Sequence, residues 1–300
     1  MKLGPEARSG EIAIPRDAAT VLLLRDTPAG FEVFMVKRSG LSDVLGEAHV
    51  FPGGKVDAAD SSPEMLARIH GVATLDTAAL GEDIAQARAA GMFVAAARET
   101  FEEAGVLLAQ STGLMGNVDA GIRDSVAGVA RFEEIAAARA RLNAKEPFAA
   151  VLASINAELD AGALVPWVRW VTPTLLSRRF DARFFLARTP AGQVALHDDY
   201  EATHSEWLRP QDAIARWERD DIKLAPPTYM SLQHLARFDS IDAALADARS
   251  RRPPVIQPHG FDVDGVRTLA LPGDAQHSGS AAAIPGPLRL RYDGARYVPA

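Results

Sequence analysis

Arg98-Glu99-Thr100-Phe101-Glu102-Glu103-Ala104-Gly105-Val106 is the stretch on which the reading of this chain turns. It closes a run of strong helix formers, Met92 to Ala104, with no Gly or Pro after Gly91, and Gly105 supplies a C-terminal stop. On a helix, Glu99, Glu102 and Glu103 stand three and four positions apart and share one face. Like charges on one face repel, so the arrangement is stable only with a neutralising partner. A hard divalent cation is such a partner: Mg²⁺ takes oxygen ligands, retains waters and bridges carboxylates to substrate phosphates. Arg98 is offset around the helix and can turn back onto one carboxylate. An acidic helix face taken alone is most often a solvated one, so its surroundings decide.

Working outward, Phe51-Pro52-Gly53-Gly54 marks a tight loop. Before it, Ala18 to Leu24 and Phe31 to Lys37 read as strands, and Thr27-Pro28-Ala29-Gly30 between them is turn chemistry, which predicts a hairpin. After the acidic helix, Val126 to Leu142 and Phe148 to Leu159 read as helices, the latter with Val151, Leu152 and Ile155 at helical spacing. Strand patterns follow at Val168 to Val171, Arg183 to Ala187 and Ala202 to Leu208. Helices are expected at Pro210 to Arg219, Ser231 to Phe238 and Ile241 to Ala248. From Arg251 onward, Pro and Gly punctuate short strand-like pieces. Strands interleaved with helices indicate the α/β class.

Composition excludes several functions. The net charge of -7 disfavours a nucleic-acid partner held by a basic surface, though it leaves room for a small anionic substrate at a locally positive site. The chain has no cysteine, which removes disulfides, zinc-thiolate sites and thiol nucleophiles. Residues 1–14 carry no apolar run behind a basic start, no apolar stretch reaches the ~20 residues of a membrane helix, and the last residues are not Ser-Lys-Leu. A soluble cytoplasmic protein without a membrane partner is therefore expected.

The acidic string resembles the second half of the Nudix box, Arg-Glu-U-x-Glu-Glu-x-Gly-U with U aliphatic, and matches every fixed position, with Thr100 as a departure at the first U. The first half is Gly-x5-Glu; here Gly54 leads to Asp60, an acid one methylene shorter. An uninterrupted box would place the arginine at 68, and it stands at 98, so an insertion of 30 residues splits the box. Arg68 does occupy the earlier position, but Ile69-His70-Gly71 follow it and no acidic helix continues there. A split box after Phe51-Pro52-Gly53-Gly54-Lys55-Val56-Asp57-Ala58-Ala59-Asp60 is similar to the Nudix motif 19 type, the branch that includes mammalian peroxisomal CoA diphosphatases. Later strings add to the likeness: Trp170-Val171-Thr172-Pro173-Thr174, Arg178 through Phe185, Leu224-Ala225-Pro226-Pro227 and Leu271-Pro272-Gly273-Asp274. Arg38-Ser39 stands thirteen residues before Phe51, as in CoA-cleaving members, whereas the inner Arg and Gly positions of that pattern hold Asp43 and Glu47.

The resemblance implies a Nudix-type α/β/α sandwich with a mixed sheet over residues 14–250, insertions at 61–91 and 113–165, and a C-terminal extension, 251–300, packed on the same domain. It implies a diphosphatase dependent on Mg²⁺ or Mn²⁺, splitting CoA or acyl-CoA into 3′,5′-ADP and (acyl-)4′-phosphopantetheine. ADP-ribose, NADH and dinucleoside polyphosphates are alternative substrates, and a nucleotide-sensing module without catalysis is a second alternative. Glu99, Glu102 and Glu103 would hold the metals, with Glu102 or Glu103 orienting the water. Gly53 and Gly54 would allow close approach of phosphates or metal, Arg38 and Arg98 would contact substrate, and Asp60, Glu201 and Glu206 are possible additional acids. Arg178, Arg179 and Arg183 are weaker candidates, because only five of the 32 basic residues are lysine and arginine is the default cation. Trp167 and Trp170 read as core rather than as adenine stackers, and the histidines lack metal-ligand spacing. The insertions are expected to cap the site or to form a homodimer surface.

Overall fold

The computed structural model describes residues 12–39, 47–70, 77–80, 83–111, 126–197 and 202–300. Strands β1 (Arg16–Thr27) and β2 (Gly30–Arg38) form the first hairpin, followed by short strands β3 (Ala48–Val50) and β4 (Gly53–Lys55). One turn of helix, α1 (Pro63–Leu66), precedes the long α2 (Gln86–Ala104) and β5 (Ala109–Ser111). Helices α3 (Val126–Asn143) and α4 (Phe148–Ser154) lead into β6 (Ala157–Leu159), β7 (Val165–Val171), β8 (Phe180–Arg188) and β9 (Ala202–Leu208). Then come α5 (Pro210–Glu218), β10 (Lys223–Leu224), α6 (Pro226–Leu235) and α7 (Ile241–Ser250). The C-terminal strands are β11 (Val255–Ile256), β12 (His259–Val263), β13 (Val266–Ala270), β14 (Arg289–Tyr292) and β15 (Tyr297–Pro299).

Among the described residues, nine strands make one mixed sheet, running β10-β3-β2-β1-β8-β7-β11, with β9 also paired to β2 and β4 to β1. β1 is its axis. It pairs in parallel with β8 along nine positions, antiparallel with β2 at its far end and antiparallel with β4 at its start. Buried on both faces, β1 reads as a continuous apolar run rather than an alternation. Its side chains nevertheless divide by period two. Ala19, Val21 and Leu23 meet α2, while Leu22 and Leu24 join the second core under α5, α6 and α7. α2 is buried on most of its circumference, and its alanines, Ala89, Ala90 and Ala95 to Ala97, let it lie close on the sheet, with the Phe93 ring tilted against Phe185 of β8 at 5.0 Å between centroids. The second core includes His234, stacked 4.8 Å from Trp167, where burial holds its imidazole down to about 4 with Arg251 adding to the effect. Strands β12 to β15 form a separate sheet whose Leu269, Leu290 and Tyr297 belong to this same core.

Four local expectations need correction. The helix expected over Phe148 to Leu159 stops at Ser154, because Asn156 takes a left-handed φ of 49° and turns the chain into β6, which pairs with β5. α2 starts six residues earlier than its best helix formers, through Gly91, where a Cβ would stand 2.2 Å from Ser61 Oγ; the glycine marks a close crossing, not a helix end. α6 begins at Pro226 rather than Ser231, since proline suits a first helical turn. Gly53 and Gly54, read as part of a loop, open the short strand Gly53–Lys55: Gly53 lies opposite Thr20, and a Cβ there would meet Ala19 O at 2.4 Å.

Candidate functional site

The last turns of α2 and strand β4 bound one end of a cavity of about 1450 Å³, which Glu99, Glu102 and Glu103 line together with Gly53, Gly54 and Arg38. Each glutamate is held differently. Gly53 N donates to Glu103 Oε2 at 2.9 Å. Gly54 presses against Glu99, whose Oε1 would stand 2.3 Å from a Cβ at that position. Arg98 Nη1 donates to Glu99 Oε1 at 2.9 Å and to Glu102 Oε2 at 3.0 Å.

Arg98 is the hub. Its Nε and Nη2 donate to the two oxygens of Asp60 at 2.8 and 3.0 Å, and Nη2 also reaches Lys55 O at 2.9 Å. Asp60 is 2% exposed and is itself fixed by Asp57 N, which donates to its Oδ2 at 2.8 Å in a capping box. Burial works against the guanidinium charge, but its hydrogen bonds to Asp60 and the charges of Glu99, Asp60 and Glu102 more than offset it, so Arg98 stays a cation. Asp60 and Arg98 are 38 positions apart in sequence and rejoin the two halves of the split motif. The structure therefore corrects two sequence readings. Arg98 is committed to orienting carboxylates rather than to substrate, and Asp60 acts on Arg98. Burial also raises the Glu102 carboxyl above its ordinary value, opposed by Arg98 and Lys145.

The insertion supports this helix directly. Arg139 of α3 donates Nε and Nη2 to Glu102 O at 3.0 and 2.8 Å, meeting a carbonyl of the last helical turn. Gly105, at φ 69°, closes the turn, and its missing Cβ leaves room for Arg139 Nη1. Leu142, Lys145 and Phe148 continue the cavity wall. Thr100, the departure from an aliphatic residue, is fully buried with its hydroxyl donating to Ala96 O at 2.7 Å, so no polar group is left unsatisfied.

Among the described residues no three Asp, Glu or His side chains stand converged as a metal cluster. Glu99 and Glu102 are turned to Arg98 instead. The donor set nonetheless suits a hard divalent cation: three carboxylates on one cavity wall, with burial disfavouring the charge of one, which a cation would favour.

Other candidates fall elsewhere. Glu206 lies opposite Met35 across β2 and β9, on the sheet face away from α2. There it pairs with Arg216 at 2.5 Å and lies 3.3 Å from His49, and it does not line the cavity, so it is no additional acid there. Burial holds that His49 down to about 4. Glu201 and Asp43 lie outside the described residues. Arg179 donates to Thr172 O and Ala13 O, and Arg183 pairs with Asp17, so both tie strands together. Trp170 is buried yet lines the cavity, with Phe180 and Pro226. Sequence reasoning missed Arg139 and Lys145, which carry no motif; the alternation of Phe180, Ala182 and Phe184 was the available signal for the far wall.

A mixed sheet with an acidic helix rejoined to a glycine-rich strand defines a Nudix-type architecture. Among solved structures, the chain is similar to a Nudix hydrolase from Alicyclobacillus acidocaldarius (24% identity, TM-score 0.58, covering 79% of this chain and 97% of that one). The family model described as the NUDT19 Nudix domain matches residues 73–235, and the chain belongs to that family of Nudix hydrolases. It is 30% identical to the acyl-coenzyme A diphosphatase NUDT19 of Homo sapiens over 290 residues, covering 83% of this chain and 73% of the relative. The Gallus gallus protein of the same description is 29% identical, with 76% and 69% covered. Enzymes of this class generally use divalent metal ions.

Proposed function

We propose that this protein hydrolyses the diphosphate of CoA or acyl-CoA, releasing 3′,5′-ADP and (acyl-)4′-phosphopantetheine. The observation that carries the reading is the carboxylate wall of Glu99, Glu102 and Glu103 in a cavity large enough for a nucleotide and a long arm. The acyl-coenzyme A diphosphatase activity for which the human and chicken relatives are named supports the substrate.

Glu99, Glu102 and Glu103 would hold Mg²⁺ or Mn²⁺, which would neutralise the phosphate charge and make the attacking water more acidic. The chain's own groups do the positioning. Asp60 locks Arg98, and Arg98 sets the rotamers of Glu99 and Glu102. Gly53 N fixes one oxygen of Glu103, and Arg139 steadies the helix end that carries all three. Arg38, on the same cavity wall, pairs with a phosphate. Glu102 or Glu103 receives the water proton as the water oxygen bonds to one phosphorus and the bridging P–O bond breaks. No described helix is long and apolar enough to cross a membrane, and the proposed setting is the cytoplasm.

The test is product analysis with CoA, an acyl-CoA, ADP-ribose and NADH, each with Mg²⁺, Mn²⁺ or chelator. Metal-dependent release of 3′,5′-ADP from the CoA substrates is expected. Turnover of ADP-ribose or NADH in their place would replace the substrate and keep the class.

A further inference from the structure

The carboxylates line one part of the cavity; another part is floored by aliphatic and aromatic side chains. Three strands floor it in register. Ala182 of β8 lies opposite Ala18 of β1 on one side and Trp170 of β7 on the other. On β8, Phe180 and Phe184 sit two positions either side of Ala182 and face the same way, and all three line the cavity. Two adjacent alanines between two phenylalanines and a tryptophan make a trough one side chain deep. Leu176, Pro226 and Leu269 wall it, the last from the C-terminal sheet. Across the mouth runs the segment before β1, held by Arg179 Nη1 to Ala13 O at 2.7 Å and by Arg16 N to Arg179 O at 2.9 Å. It presents Ile14, 88% exposed, to the same cavity.

We infer that this trough is the subsite for the acyl chain of the substrate, with Ile14 closing over the chain. The inference rests on the acyl-CoA reading and deepens it. A nucleobase there would need hydrogen-bond partners around its edge. The floor itself offers only Ala18, Trp170, Phe180, Ala182 and Phe184, and the neighbouring Thr172 and Arg179 are engaged: Phe180 N donates to Thr172 Oγ1 at 3.0 Å, and Arg179 donates to Thr172 O and Ala13 O. Such a floor suits a polymethylene chain, while Arg16, Ser177 and Arg178 are polar members of the wider lining. The cavity, about 1450 Å³, also exceeds the roughly 300–1,000 Å³ usual for one small-molecule site, leaving space for both halves of such a substrate.

The experiment measures kcat/KM of the full chain for CoA and its acetyl, octanoyl and dodecanoyl thioesters. Burying a methylene is worth up to about fourfold, so kcat/KM should rise at least tenfold from acetyl to dodecanoyl. Ala182→Leu, which fills the trough, and Ile14→Asp, at a solvent-exposed position that carries little folding risk, should each lower the dodecanoyl-to-acetyl ratio at least threefold. A flat or falling series with CoA itself hydrolysed overturns the subsite and spares the proposed activity. A ratio unmoved by both variants also overturns it, and an equal loss on CoA and dodecanoyl-CoA in Ala182→Leu assigns the trough to the nucleotide instead. No hydrolysis of any CoA substrate overturns the proposed function itself, and this subsite with it.

Discussion

Replacing Asp60 with alanine leaves the Arg98 guanidinium, itself only 8% exposed, without its principal counter-ion. Asp60 accepts from both Nε and Nη2 and is 2% exposed, so the pair is buried on both sides. Removing one partner of a buried ion pair costs about 3–5 kcal/mol, because the other charge stays buried. Glu99 and Glu102 also contact Arg98 and recover part of that, which puts the expected loss near the lower figure, about 3 kcal/mol. Asp60→Glu restores the acid of the uninterrupted motif, yet its extra methylene must fit a site that also accepts from Asp57 N. Overpacking of that kind costs about 1–3 kcal/mol, so this variant should fall between wild type and Asp60→Ala. The assay is denaturant unfolding in chelator, since a bound cation would stabilise the folded state and mask the difference. A cycle with Arg98→Met separates the pair from its surroundings: the double variant should be less destabilised than the sum of the singles by more than about 1 kcal/mol. Asp60→Ala within about 1 kcal/mol of wild type, or an additive cycle, would refute the view that Asp60 anchors the catalytic helix through Arg98.

Three further outcomes are expected. Glu103→Gln keeps an oxygen to accept from Gly53 N, so its unfolding curve should match wild type while turnover drops roughly 10²- to 10⁴-fold; wild-type rates would remove Glu103 from the mechanism. Gly54→Ala meets the end of a flexible side chain, the Glu99 carboxylate at 2.3 Å, and should weaken Mn²⁺ affinity measured by titration with little loss of stability; Gly53→Ala meets backbone at Ala19 O, 2.4 Å away, and should cost stability instead. His234, held down to about 4 by burial, favours folding in its neutral form, so its contribution is complete above pH 6.5 and is lost as pH falls toward 4, about 3 kcal/mol in all. His234→Phe should flatten that part of the stability profile, and an unchanged slope between pH 6.5 and 4 would count against the depressed pKa.

The acidic helix, the first hairpin and the interleaved strands could be read from the chain because each is a local pattern: three carboxylates on one helical face, a turn between two apolar runs, period-two or continuous burial. What could not be read depends on contacts between distant residues. Nothing near Gly91 announces that Ser61 crosses it, so a residue that usually ends helices sits inside one. Phe148 to Leu159 has helical spacing throughout, and only the left-handed Asn156 and the pairing of β6 with β5 divide it. Glu206 and Glu102 are equally acidic in sequence; the fold pairs Glu206 with Arg216 and His49, outside the cavity lining. Arg179 and Arg183 look like phosphate ligands until Ala13, Thr172 and Asp17 claim them. Arg139 belongs to an insertion with no motif, and its function comes from where α3 docks.

The close crossing of Gly91 by Ser61, together with the Asp60–Arg98 pair, pins both ends of the inserted segment to one point. A loop anchored in this way is thermodynamically tolerant of changes in length: doubling it raises the closure cost by only about 0.6 kcal/mol. Selection can therefore change the length of the inserted segment at modest cost, provided Met65, Ile69 and Leu80 keep their places in the core beside α2 and Ser62 and Glu64 theirs on the cavity lining. The tolerance lies in the length between those fixed points, while the geometry of the glutamates stays constant.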